Sequence, residues 1–160
     1  MVSTATSVIV GLGNPILTDD AVGLMVARRV HERLADPDVD LREACVGGIQ
    51  LVEMLAGYDK AVIVDAIRTK EGRIGDHYLL DLEGSRSSQR TGMTHEIGLL
   101  EGLELGRSLG MHMPTSLRVY AVEVADPYTF GTEMTEELKA AVPHIVERIL
   151  SAEYARGKAR

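Results

Sequence analysis

The chain has 160 residues, 45% of them hydrophobic, with one cysteine and a formal net charge of −7. That length suits one domain with a single real core, expected here as a single domain over 1–160 with residues 1–6 and 156–160 frayed. The acidic balance argues against nucleic acid as a partner, Cys45 alone excludes an internal disulfide or a cysteine-based zinc cage, and the absence of a membrane-length apolar run or a signal peptide at Met1 to Ser7 points to the cytoplasm.

Residues 8–23 open the pattern. Val8, Ile9 and Val10 are β-branched and uniformly apolar, as a parallel strand buried on both faces requires. The run breaks at Gly11 and Gly13, where backbone angles penalised by a Cβ become available, and Asn14-Pro15 adds a second turn signal. Thr18 or Asp19 can then cap a helix, with Asp19 the expected cap and Asp20 left at the carboxyl end of the strand. From Ala21 to Leu34, Val22, Val26, Val30 and Leu34 recur every fourth residue and predict an amphipathic helix. Asp36-Pro37-Asp38 ends it.

Val39 to Val46 reads as a second, less apolar strand nearer an edge, left through Gly47-Gly48. Ile49 to Gly57 predicts a short helix. Ala61 to Val64 is the second strongly buried strand, ending at Asp65. Asp76 to Leu82 alternates Tyr78, Leu80 and Leu82 with polar neighbours, which suits a half-exposed, antiparallel edge strand. Glu83 to Gly92 lacks periodicity and reads as a loop. His95 to Leu109 predicts a helix with Ile97, Leu99, Leu100, Leu103, Leu105 and Leu109 apolar. Its glycine stripe, Gly98, Gly102 and Gly106, suits close packing onto a neighbour. Leu117 to Val124 is a further strand. Glu133 to Tyr154 is a closing helix, with a kink expected at Pro143. The order predicts an α/β fold: three α/β/α layers around a mainly parallel twisted sheet of about five strands, with room for one antiparallel edge strand.

Three positions at strand ends carry potential chemistry: Asp20 after the first strand, Asp65 after the third, and His95 where a helix begins. If the first and third strands are neighbours, Asp20 and Asp65 share a crevice, and His95 can reach it from a loop. Two carboxylates and an imidazole form an incomplete shell for a divalent transition metal. Simple capping or turn hydrogen bonds would use the same residues. His31, His77, His112 and His144 read as solvated or structural, and Cys45 as an inert buried thiol. Asp126-Pro127 and Phe130-Gly131 read only as a loop. A dinucleotide site is disfavoured, because the third glycine of G-x-G-x-x-G falls at Ile16 and Asp19 and Asp20 would repel a pyrophosphate. No nucleotide is therefore expected, and neither a P-loop nor G-x-S-x-G is present.

The run from Gly11 to Gly23 resembles the opening motif of the [NiFe]-hydrogenase maturation endopeptidases, G-x-G-N-x-L-x-x-D-[DE]-[GA]-x-G. Val62-Ile63-Val64-Asp65-Ala66 resembles their second motif, and Thr94-His95-Glu96-Ile97-Gly98-Leu99 their histidine segment. The resemblance implies that Asp20, Asp65 and His95 form a metal-binding and catalytic site. It also implies a cytoplasmic enzyme that removes a C-terminal extension from a hydrogenase large-subunit precursor after nickel insertion. The nickel would be substrate-borne and serve as the recognition signal, with either aspartic-type or metal-assisted hydrolysis. Ala21 replaces the commoner glycine, and the loop from Gly84 to Gly92 does not align.

Two other functions compete. A non-catalytic metal-binding assembly chaperone would use the same three ligands. Gly11 to Pro15 also resembles the start of peptidyl-tRNA hydrolases, but their Arg-His-Asn segment is absent and the acidic charge disfavours tRNA. No membrane partner is expected, and the oligomeric state is open.

Overall fold

The structure is a computed structural model and describes residues 4–45, 49–80 and 99–155. The expected exit at Gly47-Gly48, the loop at 83–92, the helix start from His95 to Gly98 and the tail at 156–160 lie outside the described residues.

Five strands form one sheet: β1 (Ser7–Leu12), β2 (Val39–Ala44), β3 (Lys60–Ile67), β4 (His77–Leu79) and β5 (Ser116–Glu123), in the order β2-β1-β3-β5-β4. β1 pairs in parallel with β2 and β3, β3 pairs in parallel with β5, and β4 runs antiparallel along the edge of β5. The less apolar β2 takes the other edge, as its composition suggested. The helices are α1 (Val22–Leu34), α2 (Ile49–Leu55), α3 (Leu99–Ser108) and α4 (Glu136–Glu153), with a short 3-10 helix at Thr18–Ala21 leading into α1.

Strand alternation divides the core into the two layers expected of an α/β/α fold. On one face, Ile9, Val62, Val64, Tyr120 and Val122 meet Val26 and Val30 of α1 and Leu138, Val142, Ile145 and Ile149 of α4. On the other, Val8, Val10, Ile63 and Val119 meet Leu51 and Leu55 of α2 and Leu99 and Leu103 of α3. The glycine stripe packs α3 closely, since a Cβ on Gly102 would come within 2.4 Å of Val52 in α2.

Several boundaries differ from expectation. Ala5 is buried in the core and the Thr6 carbonyl accepts the Asp59 N–H at 2.8 Å, so these two residues are tied down rather than frayed. β3 runs past Asp65 to Ile67 because β5 continues to pair with it there. The edge strand shortens to His77–Leu79. Leu105 and Leu109 are exposed, because only the Leu99 and Leu103 stripe faces the sheet. α4 continues as one helix through Pro143, whose missing N–H leaves one carbonyl a turn earlier without its helical donor.

His77 packs edge-on against His144 of α4, with ring centroids 5.8 Å apart. Burial, aided by His144 and Arg148, holds the His77 imidazole below its usual value, against an opposing pull from Asp76. The unfolded chain therefore takes up this proton more readily. Its contribution to stability is full above the ordinary histidine value of about 6.5 and is lost as pH falls through the folded-state value. Denaturation midpoints measured between pH 8 and 5 should decline on the acid side, and His77→Asn should flatten part of that decline.

Candidate active site

The chain leaves β1 through a turn that only glycine can make. Gly13 has a φ of +150°, and a Cβ there would lie 2.0 Å from the Asp20 carbonyl oxygen. Residues 14–20 can therefore fold back onto the strand end. The Asn14 side chain supports the turn by accepting the Ile16 N–H at 3.1 Å, and the Asn14 N–H donates to Asp20 Oδ2 at 2.8 Å. That bond orients the Asp20 carboxylate.

The following helix is seated directly on two strands. A Cβ on Gly23 would come within 2.3 Å of the Leu12 carbonyl oxygen and 2.5 Å of that of Val64. This contact brings the segment holding Asp20 against the carboxyl half of β3, one residue before Asp65. Asp65 is 0% exposed, and its Oδ1 accepts the Ala66 N–H at 2.8 Å. Alternation along β3 turns it to the face of Ile63 and Ile67, the side covered by α2 and α3.

Asp20 lines a cleft of about 260 Å³ at the carboxyl ends of the strands, together with Asn14, Leu17, Cys45, Arg68 and Tyr128. A larger hollow of about 570 Å³ is lined by Arg42, Glu53, Gly57 and Tyr58. It borders Ala5 and Tyr58, beside the amino ends of β1 and β3, away from the end where open α/β sheets hold ligands. The smaller cleft is the better candidate. Cys45 is exposed on its wall, which corrects the expectation of a buried thiol. Among the described residues no group of three or more His, Cys, Asp or Glu is arranged to hold a metal ion. His95, the third expected ligand, lies outside the described residues.

Asp19 does not cap the helix that follows. It is 0% exposed, and its carboxylate accepts the N–H groups of Ala125, Asp126 and Thr135 at 3.0, 2.9 and 2.8 Å, plus the Thr135 hydroxyl at 3.1 Å. The side chain thus clamps both ends of the loop between β5 and α4. Within that loop Asp126 Oδ1 accepts the Tyr128 and Thr129 N–H groups, and hydrogen bonding from the Thr129 side chain first, then from these N–H groups, holds its carboxyl below the usual range.

Glu123 is a third buried carboxylate, one that the sequence did not single out. It ends β5 on the same face as Asp65, accepting the Thr69 N–H at 3.1 Å, the Thr69 hydroxyl, and the Tyr78 hydroxyl at 3.3 Å. These bonds anchor the turn that follows Arg68. The guanidinium of Arg68 sits 5.9 Å from the centroid of the Tyr128 ring. Two buried carboxylates therefore fix the two loops that meet over the cleft.

Comparison with known proteins bears on the family and the fold. Residues 24–152 match the HycI family model, described as hydrogenase maturation protease. The chain belongs to the hydrogenase maturation protease family. Asp65 and His95 fall inside the matched stretch, and Asp20 lies just ahead of it. The chain is 28% identical over 148 residues to the hydrogenase 2 maturation protease of Escherichia coli K12, covering 90% of this chain and 88% of that one. Among solved structures it is similar to the hydrogenase maturating endopeptidase HybD from E. coli, with a TM-score of 0.73 at 24% identity over 91% of this chain and 90% of that one. The maturation protease HycI from Thermococcus kodakarensis KOD1 gives a TM-score of 0.66 at 27% identity, with 93% of each chain covered. As a member of the family, the chain is a maturation endopeptidase built on the α/β fold of HybD and HycI. Among its described residues no helix is long and apolar enough to cross a membrane.

Proposed function

We propose that this protease removes a C-terminal extension from a [NiFe]-hydrogenase large-subunit precursor after nickel insertion, with Asp20, Asp65 and His95 engaging the nickel that the precursor carries. The supporting observation is the seating of Gly23 against the Leu12 and Val64 carbonyls, which joins the Asp20 turn to the carboxyl half of β3 beside Asp65. Both carboxylates have one oxygen held by a backbone N–H, so their directions are fixed before a cation arrives. Oxygen and imidazole donors suit Ni(II).

The start of α3 lies at the same end of the sheet. α3 ends close to the amino end of β5, so Leu99 at its other end lies toward the carboxyl ends of the strands, buried on the face that Asp65 shares. His95, the proposed third ligand, precedes Leu99 by four positions in the chain.

Coordination of the precursor's nickel by these side chains would hold the scissile peptide beside them, turning an encounter into a positioned reaction. The bound metal then polarises the scissile carbonyl or activates water. In the aspartic-type route, one carboxylate instead takes the proton of the attacking water. Nickel-loaded and nickel-free precursor are each mixed with the purified protein and the large subunit is weighed by mass spectrometry. Shortening of only the loaded form is the expected result. Equal shortening of both would remove nickel from recognition, and no shortening of either would overturn the proposal.

A further inference from the structure

The cleft beside Asp20 is small for the task of selecting a protein substrate. Enclosed ligand sites usually run to about 300–1,000 Å³, whereas this one has about 260 Å³. It can admit only a short stretch of chain, so recognition must draw on surface outside it. Stable protein recognition commonly covers about 800 Å² on each partner.

The adjoining surface is unusual for a soluble fold. Ile16 is 52% exposed, Tyr128 70% and Phe130 78%. They lie on two loops joined edge to edge: Leu17 and Phe130 form an antiparallel bridge, the Thr18 N–H donates to the Thr129 carbonyl at 3.0 Å, and the Gly131 N–H donates to that of Ile16 at 2.9 Å. Leu17 and Tyr128, one from each loop, also line the cleft, so the two loops that carry the rim form part of its wall. The rim is held from beneath by the buried Asp19 carboxylate. A fold that commits a buried charge to fixing a loop with outward-facing apolar side chains presents those side chains preorganised, which lowers the entropy cost of binding. Isolated exposed apolar residues need no explanation, but several gathered on two bonded loops at the mouth of a cleft mark an interaction site.

We infer that Ile16, Tyr128 and Phe130 form the substrate-docking rim of this protease, taking apolar side chains of the precursor segment that runs into the cleft past Asp20. The inference rests on the proposed function, because the occupant is the precursor chain that must cross the rim to reach the carboxylates. Tyr128 and Phe130 are the anchors, being the large aromatic groups that dominate such contacts. Arg68, stacked near the Tyr128 ring, holds that anchor in place from the cleft side.

The test measures affinity apart from cleavage. Nickel-loaded precursor is titrated against the full-length wild type, Tyr128→Ser, Phe130→Ser, the double variant and Phe130→Leu, and processing is followed in parallel. Each serine variant should raise Kd and KM about tenfold, with kcat within about twofold and the thermal midpoint unchanged. Phe130→Leu, which keeps an apolar side chain, should recover most of the affinity. Unchanged Kd in the double variant overturns the inference, as does a loss confined to kcat. Concentration-dependent self-association of the wild type that the double variant abolishes would assign the rim to a second copy of the chain and overturn it likewise. If the wild type binds the precursor through the rim but never shortens it, the docking inference stands and the proposed hydrolysis falls.

Discussion

Asp19→Ala should lower the unfolding free energy by about 3–5 kcal/mol, one of the largest effects available to a single substitution here. The carboxylate is fully buried and accepts three backbone N–H groups and a hydroxyl from positions 125, 126 and 135. Removing it leaves those donors without their acceptor, and each buried unsatisfied donor costs about 1–3 kcal/mol. For a chain of this size the loss corresponds to a fall of roughly 10 °C in Tm. Asp19→Asn retains an acceptor oxygen but loses the charge and sets an NH₂ group against backbone donors, so it should recover only part of the loss. Calorimetry of the three proteins checks the order wild type, Asn, Ala. A smaller drop than about 1 kcal/mol for the alanine variant would mean that water replaces the carboxylate.

Alanine at Asp65 or at Asp20 should abolish processing of nickel-loaded precursor, with a loss of at least about 10³-fold in kcat/KM, equivalent to about 4 kcal/mol of transition-state stabilisation. Because the two carboxylates are proposed to act on one centre, the double variant should be scarcely worse than either single one. Multiplicative losses would separate their roles. Asp65→Asn is the informative control: it preserves the shape of a fully buried side chain and an oxygen for the Ala66 N–H, so activity lost at unchanged Tm reflects the missing charge. Full processing by any of these variants would remove that residue from the proposed site.

The fold was largely legible before the structure because its signals are local. Val8 to Val10 and Ala61 to Val64 are short β-branched or small apolar runs suited to strands covered on both faces, and α1 repeats its valines with helical period. The edge positions of β2 and β4 followed from their more polar composition. What escaped depends on partners distant in sequence. Asp19 looks like a helix cap from its neighbours, yet its carboxylate serves residues at 125 to 135. Glu123 looks like a polar strand end and is instead the buried anchor of Thr69. Cys45 was expected inside because thiols usually are, but β2 lies at the sheet edge and leaves it on the cleft wall. The aromatic rim had no visible purpose in sequence, since Tyr128 and Phe130 acquire one only when their loop meets Ile16.

The strand order also governs when the site comes into being. Every parallel pairing on which the site depends joins distant parts of the chain, as with Ser7 and Lys60, or Lys60 and Ser116. Such long closures slow folding relative to hairpins and helical pairs of similar stability. Asp20 and Asp65 cannot be brought together by the first helix and its strand alone, and the clamp on Asp19 closes only after β5 has been added. During synthesis from the N-terminus, the set of residues that lines the cleft is therefore complete only once Tyr128, within the last quarter of the chain, has emerged.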